Sequence, residues 1–240
     1  MLSKTRGIVL HSTKYSDTAS IVTIYTEQYG RSSFMVRGFN NKRSTTKAAF
    51  FQPLTLVEID MHHQPGKEIH TIKDIRIDIP LTSIAFDPVK NAIALFMSEL
   101  LFRTIKHSTP DEQLFVFLYQ SIEVLDCTHE IPANFHLVFM LRLTRFYGFE
   151  PNITDSNGLY FDLINGEFLN CRPLHAHYLM GETASDFGKL AEIDYFNMSA
   201  LTLSRTQRTN LLKALTEYFR LHVTGFHGLN SLEVLQRIFD

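Results

Sequence analysis

Ile75-Arg76-Ile77-Asp78-Ile79-Pro80-Leu81-Thr82-Ser83-Ile84-Ala85-Phe86-Asp87-Pro88-Val89-Lys90-Asn91-Ala92-Ile93 is the stretch in which the chain changes its period. Up to Ile79, apolar and charged residues alternate one for one, which sets the isoleucines on one side of a half-buried strand. Beyond Pro80 the spacing becomes three and four. Val89, Ala92, Ile93, Phe96, Leu100 and Leu101 then share one helical face, with Asp87 as N-cap and Pro88 at the first helical position. A β-rich part therefore ends near residue 80, and a helical part begins.

Working back from this point, four more runs read as strands. They carry Ile8 and Leu10, then Ile21 to Tyr25, then Phe34 and Val36 after the turn at Tyr29-Gly30, then Leu54 to Met61 after Pro53. His62-His63-Gln64-Pro65-Gly66 reads as the turn into the fifth. Five strands in residues 1–80, with no helical stretch, predict a barrel of the OB type or a related sheet.

Working forward, Thr109-Pro110-Asp111-Glu112 reads as a capping box ahead of Leu114, Phe115, Leu118, Ile122 and Leu125. A further helix is expected from Asn134 to Gly148, the glycine serving as a left-handed C-cap. Ser204 to Gln207 forms another capping box, before Leu211, Leu212, Leu215, Tyr218 and Phe219, and Ser231 caps a short last helix. Between Glu150 and Leu179 the helical period lapses. There Leu159, Phe161, Leu163, Asn165-Gly166 and Phe168 suggest a β-hairpin with a type I′ turn. The class is α+β, with an OB-fold barrel over 1–80 and a mainly helical domain over 81–240 that carries the inserted hairpin near 150–180.

The chain has 240 residues, of which 45% are hydrophobic and 20% charged, with 20 Phe and 9 Tyr, enough to build a core. Only Cys127 and Cys171 are present, which suits a reducing compartment better than a disulfide scaffold. Neither a secretory leader nor a run of about 18 apolar residues is visible, so a cytoplasmic protein is expected. The net charge of −2 conceals an asymmetry. Residues 1–50 hold Lys4, Arg6, Lys14, Arg31, Arg37, Lys42, Arg43 and Lys47 against Asp17 and Glu27, a balance of +6 that points to a polyanion.

No nucleophile elbow, phosphate-binding glycine loop or His-Glu-x-x-His pattern occurs, so no catalysis and no cofactor are expected. Cys171, His175 and His177 fall one ligand short of a structural zinc site. The binding candidates lie instead on the third strand and the loop after it. Arg37, Lys42, Arg43 and Lys47, with Arg31 and Lys14 as outer members, set cations beside a sheet, as a phosphate backbone requires.

Several motifs in order resemble a known family. They are Gly7-Ile8-Val9-Leu10, Thr23-Ile24-Tyr25-Thr26-Glu27 leading to Gly30-Arg31, Arg37-Gly38 with Lys42-Arg43-Ser44, and Gln52-Pro53-Leu54-Thr55. Phe139-x-Leu141-Arg142-Leu143, Gly148-Phe149-x-Pro151, Tyr218 to His222 and Ser231 to Leu235 continue the likeness. Together they resemble RecO, the bacterial DNA-repair and recombination mediators. The resemblance implies binding to single- and double-stranded DNA, strand annealing, and recombinase loading with RecR and the single-strand-binding protein's C-terminal tail as partners, at the nucleoid. It also implies a zinc knob of four cysteines in many members. Here only Cys171 of the four remains, so zinc is not expected and Leu159, Phe161 and Phe168 must hold the hairpin by packing.

For the acidic tail, Arg103 and Lys106 on one helix and Arg142 and Arg145 on another offer cations at one-face spacing. Phe96, Leu100, Phe115 and Phe139 are the candidates for an apolar groove beside them. Two other readings stay open at this point: a protein-only adaptor with a merely solvated basic loop, and an RNA-binding OB protein.

Overall fold

Alternation along the first 80 residues does produce five strands. The computed structural model describes residues 2–37, 49–62, 64, 66–128, 133–154, 158–232 and 234–235. Strands β1 (Leu2–Lys14), β2 (Ala19–Thr26), β3 (Gly30–Arg37), β4 (Leu56–His62) and β5 (Ile69–Ile77) close into a barrel in the order β1-β2-β3-β5-β4. β1 is long because it serves two neighbours: Leu2 to Ile8 pair with β4, and Gly7 to Lys14 pair with β2. A register shift between Val9 and His11 bends it from one partner to the other. The inward residues Val9, Val22, Ile24, Phe34, Val57, Ile59 and Met61 fill the barrel, and Phe51 belongs to the same buried cluster. β5 stops at Ile77, two residues short of the sequence expectation, and meets β3 in parallel through Ser33–Ile69 and Phe34–His70.

The first compact unit runs from Met1 to Thr128, so it holds two helices as well as the barrel. In α1 (Pro88–Thr104), Asp87 caps as expected, its carboxylate accepting from the amides of Val89 and Lys90 at 2.8 and 3.1 Å. In α2 (Glu112–Cys127) the cap is Asp111, accepting from the Leu114 amide at 2.9 Å, and not Thr109. Asp is at least as good a cap as Thr, and Thr109 lies in a segment pressed on the barrel. The Arg6 guanidinium forms a two-point ion pair with Glu27 (2.6 and 3.0 Å) and lies over the rings of Phe115 and Tyr119. Tyr119 in turn donates to Asp78 at 2.5 Å. These contacts seat α2 on the barrel wall.

Gly30, at the β2–β3 turn, is required rather than tolerated. Its φ is +60°, and a Cβ there would stand 2.6 Å from the Ser108 carbonyl oxygen and 2.7 Å from that of Thr109. Gly30→Ala therefore combines left-handed strain with a clash against backbone, and should cost about 3 kcal/mol. Urea denaturation would measure it, and a loss below ~1 kcal/mol would contradict the close approach.

The second compact unit runs from His129 to Asp240. It contains α3 (Phe135–Phe146), the short strands β6 (Tyr160–Asp162), β7 (Glu167–Leu169) and β8 (Tyr178–Met180), then α4 (Gly181–Ala191) and α5 (Arg205–His222). Gly148 has the expected left-handed φ of +77°. The Ser204 capping box forms in both directions, with Ser204 Oγ accepting from the Gln207 amide and Gln207 Oε1 accepting from the Ser204 amide. Leu235 N–H donates to Ser231 C=O at 2.9 Å, a helical turn at the start of the expected last helix, whose residues 236–240 lie outside the described ones.

Two expectations for this unit need correction. The hairpin is not closed by a type I′ turn. Four residues separate β6 from β7, the Gly166 amide reaches back to the Asp162 carbonyl at 2.8 Å, and Asn165 does not take a positive φ. The Asp162 carboxylate organises this turn instead, accepting from the amides of Ile164 and Asn165 and from Asn165 Nδ2. The hairpin also has a third strand, giving the order β7-β6-β8. Leu159 is 65% exposed and packs little, whereas Phe161 and Phe168 are buried.

Candidate nucleic-acid interface

The β1–β2 hairpin turns tightly, with the Tyr15 and Ser16 amides both donating to the Ala19 carbonyl at 3.0 and 2.9 Å. Ala19 is in register with Arg37 on β3, and Ser20 with Lys14 on β1. Lys14, Tyr15 and Arg37 thus meet at one rim of the barrel, and all three are exposed. Lys14 lies 2.9 Å from Asp17, an exposed pair of small energetic weight that a phosphate can displace. Tyr15, 66% exposed on the same rim, offers a ring on which a base can stack. Sequence reasoning passed over it; the available signal was an aromatic residue next to a lysine in a polar turn. Lys42, Arg43 and Lys47 lie outside the described residues.

Arg31 is used differently from the sequence expectation. Its guanidinium stacks 4.6 Å above the Phe102 ring, and one nitrogen donates to the carbonyl oxygens of Phe102 (2.6 Å) and Ile105. Burial draws its pKa below the ordinary arginine value. It caps the C-terminal end of α1, where carbonyls lack helical partners, and is committed to that role.

The barrel side formed by β4, β5 and the start of β1 has a different character. Lys4 (2.8 Å) and Arg76 both pair with Glu58 and hold its carboxyl below the usual range, and Asp60 stands opposite Asp74. Charges of both signs neutralise one another there. Among the described residues, the Lys14–Arg37 rim sets two cations against Asp17.

Of the cations expected to receive an acidic tail, Arg103 pairs with Glu99 at 2.7 Å and Arg142 donates to the Ile193 carbonyl at 3.0 Å. Arg145 is exposed in the last turn of α3, and Lys106 lines a polar cleft considered below. Phe96, Leu100, Phe115 and Phe139 are each no more than 1% exposed. They are core and line no groove, because large aromatic and aliphatic side chains at helix positions of this spacing are what the core itself consumes.

Among the described residues no group of three or more His, Cys, Asp or Glu is placed to hold a metal ion. His175 Nε2 lies 3.1 Å from Asp162, His177 Nδ1 lies 3.0 Å from Glu217, and Cys171 is exposed. No helix among them is long and apolar enough to cross a membrane.

A closed barrel of this strand order, with an exposed cationic and aromatic rim, defines an OB-like protein, here continued by a helical region. The chain belongs to the recombination protein O family: residues 1–78 match its "Recombination protein O N terminal" description and residues 85–233 its "Recombination protein O C terminal" description. It is 43% identical to the DNA repair protein RecO of Bacteroides fragilis over 242 residues. It is 39% identical to that of Phocaeicola vulgatus and 36% identical to that of Flavobacterium psychrophilum. Each alignment covers the whole of both chains. The resemblance read from the motifs is thereby established, and the chain is a DNA repair protein of the RecO family.

Proposed function

We propose that the chain is a non-enzymatic recombination mediator of the bacterial cytoplasm, acting at the nucleoid. In this reading it binds single- and double-stranded DNA through the barrel and anneals complementary strands. It helps load the recombinase together with RecR and the single-strand-binding protein's tail, for which Arg145, exposed in the last turn of α3, is a candidate contact. The observation that carries the DNA reading is the Lys14–Tyr15–Arg37 rim on an OB-like barrel. The +6 balance of residues 1–50 and membership of the family support it.

The test is a fluorescence-polarisation titration of a single-stranded oligonucleotide across a salt series. Lys42→Ala/Arg43→Ala should flatten the logarithmic salt slope by about 1.4, two phosphate contacts at ~0.7 each. Tyr15→Ala should weaken binding about tenfold with little change in slope, because stacking releases no counterions. An unchanged slope in the first variant would remove Lys42 and Arg43 from the interface, and unchanged affinity in the second would remove the rim from it. Single-stranded RNA of the same sequence, run alongside, decides between the two nucleic acids.

A further inference from the structure

The barrel has one thin seam. β3 and β5 are in parallel register over two residue pairs only, Ser33–Ile69 and Phe34–His70, so the chain on either side of that short pairing diverges. A cleft of about 730 Å³ opens there, bounded by the start of β3, the chain leading into β5, and the segment after α1. Its lining is mainly hydroxyl, amide and cationic. Lys67 comes from the β4–β5 connection and Lys106 from the segment after α1, and both are exposed; Ser33 and His70 also line the cleft. Glu68 is its one acidic lining residue.

We propose that this cleft is a second station for the phosphodiester backbone of a single strand that lies along β3, starting from the Lys14–Arg37 rim. The inference rests on the nucleic-acid reading above and extends it to residues on the other end of the same strand. Arg37 ends β3, while Arg31 and Ser33, three and two alternations earlier on the same face of the strand, border the cleft. From Gly30 to Arg37 the strand spans about 23 Å at ~3.3 Å per residue. That length matches several nucleotides, within the roughly four to sixteen bound per OB fold. Two lysines and several hydroxyl groups in one lining suit phosphates and sugars.

The experiment compares the full chain with Lys67→Gln/Lys106→Gln, and with Lys73→Gln/Lys213→Gln as a control for the same loss of net charge at exposed sites. Labelled oligothymidylates of about four and about sixteen nucleotides and a hexa-aspartate peptide are the probes. The cleft variant should bind the longer oligonucleotide about tenfold more weakly, with a salt slope lower by about 1.4, while the control stays within about twofold of wild type. Equal losses in both variants, or none in either, would overturn the proposal and leave the rim reading standing. Binding of hexa-aspartate that the cleft variant alone loses, with oligonucleotide binding intact, would overturn it in favour of an acidic peptide. If wild type binds neither oligonucleotide, the cleft proposal and the nucleic-acid reading fall together.

Discussion

Phe161→Ala is expected to destabilise the second compact unit by about 4 kcal/mol, in the range of buried Phe truncations. Phe161 is fully buried on β6, the central strand of a sheet whose strands have three residues each. A sheet this small has no independent stability and depends on what it packs against. The Phe161 ring lies 4.9 Å from Phe168 on β7, 4.3 Å from Phe187 on α4 and 5.9 Å from Tyr218 on α5, between ring centroids. One side chain therefore joins the sheet to two helices, and truncating it opens a cavity lined by rings that cannot collapse together. Because the chain has two units, hydrogen exchange in α4 and α5 is the appropriate readout, with global denaturation beside it. Phe161→Leu should recover more than half of the loss. A cost below ~1.5 kcal/mol for the alanine variant would show that the sheet is held by something else, such as the Asp162 turn network.

The barrel was legible because its strands alternate and are separated by glycine- and proline-bearing turns; residues such as Ile24, Ile59 and Met61 sit inward as their spacing requires. Caps were legible where a side chain meets a neighbouring amide, as at Asp87 and Ser204. α4 was missed because it carries glycine at both Gly181 and Gly188 and a mostly polar face, so propensity and period both argue against it. Burial of Ala184, Phe187, Leu190 and Ala191 against the rest of the unit decides it instead. β8 was missed because its only partner, β6, is sixteen residues away in sequence, and three residues carry no period.

For the site, sequence identifies cations but not their partners. Lys14 and Arg37 are exposed on the rim, whereas Arg31 turns inward onto carbonyls that lie some 71 and 74 residues further along the chain. Nothing in the local pattern distinguishes them, since outward-facing positions on one strand look alike until a helix covers one end. The same holds for Arg142, taken up by Ile193, and for Lys106, whose neighbours in the cleft come from two strands and a loop.

Asp126→Ala should cost the first compact unit about 4 kcal/mol at neutral pH. The Asp126 carboxylate accepts from the backbone amides of Thr82 and Ser83 at 2.8 Å each and Ile84 at 2.9 Å, and from the hydroxyls of Thr82 and Ser83. Bonds from amides to a charged acceptor contribute roughly 1.5–3 kcal/mol each, and removing the acceptor leaves donors unsatisfied. The network also fixes a buried lysine: Lys90 Nζ donates to Ser83 Oγ at 2.6 Å and to the Asp126 carbonyl at 2.7 Å. Loss of the carboxylate should therefore loosen both the chain before α1 and the charge inside it. Burial acts to raise the Asp126 pKa, but the amides of Thr82, Ile84 and Ser83 outweigh it and hold the carboxyl below its ordinary value. A depressed carboxylate stabilises the fold fully above the unfolded value of about 3.9, and the contribution fades as pH falls through the lower folded value. The gap between wild type and Asp126→Ala should accordingly be constant from neutral pH down to about 5 and narrow below about 4. Urea denaturation at several pH values, with Asp126→Asn as the uncharged isostere, measures this directly. A gap that stays flat or widens in acid would show that the amides do not favour the charged form over the neutral acid.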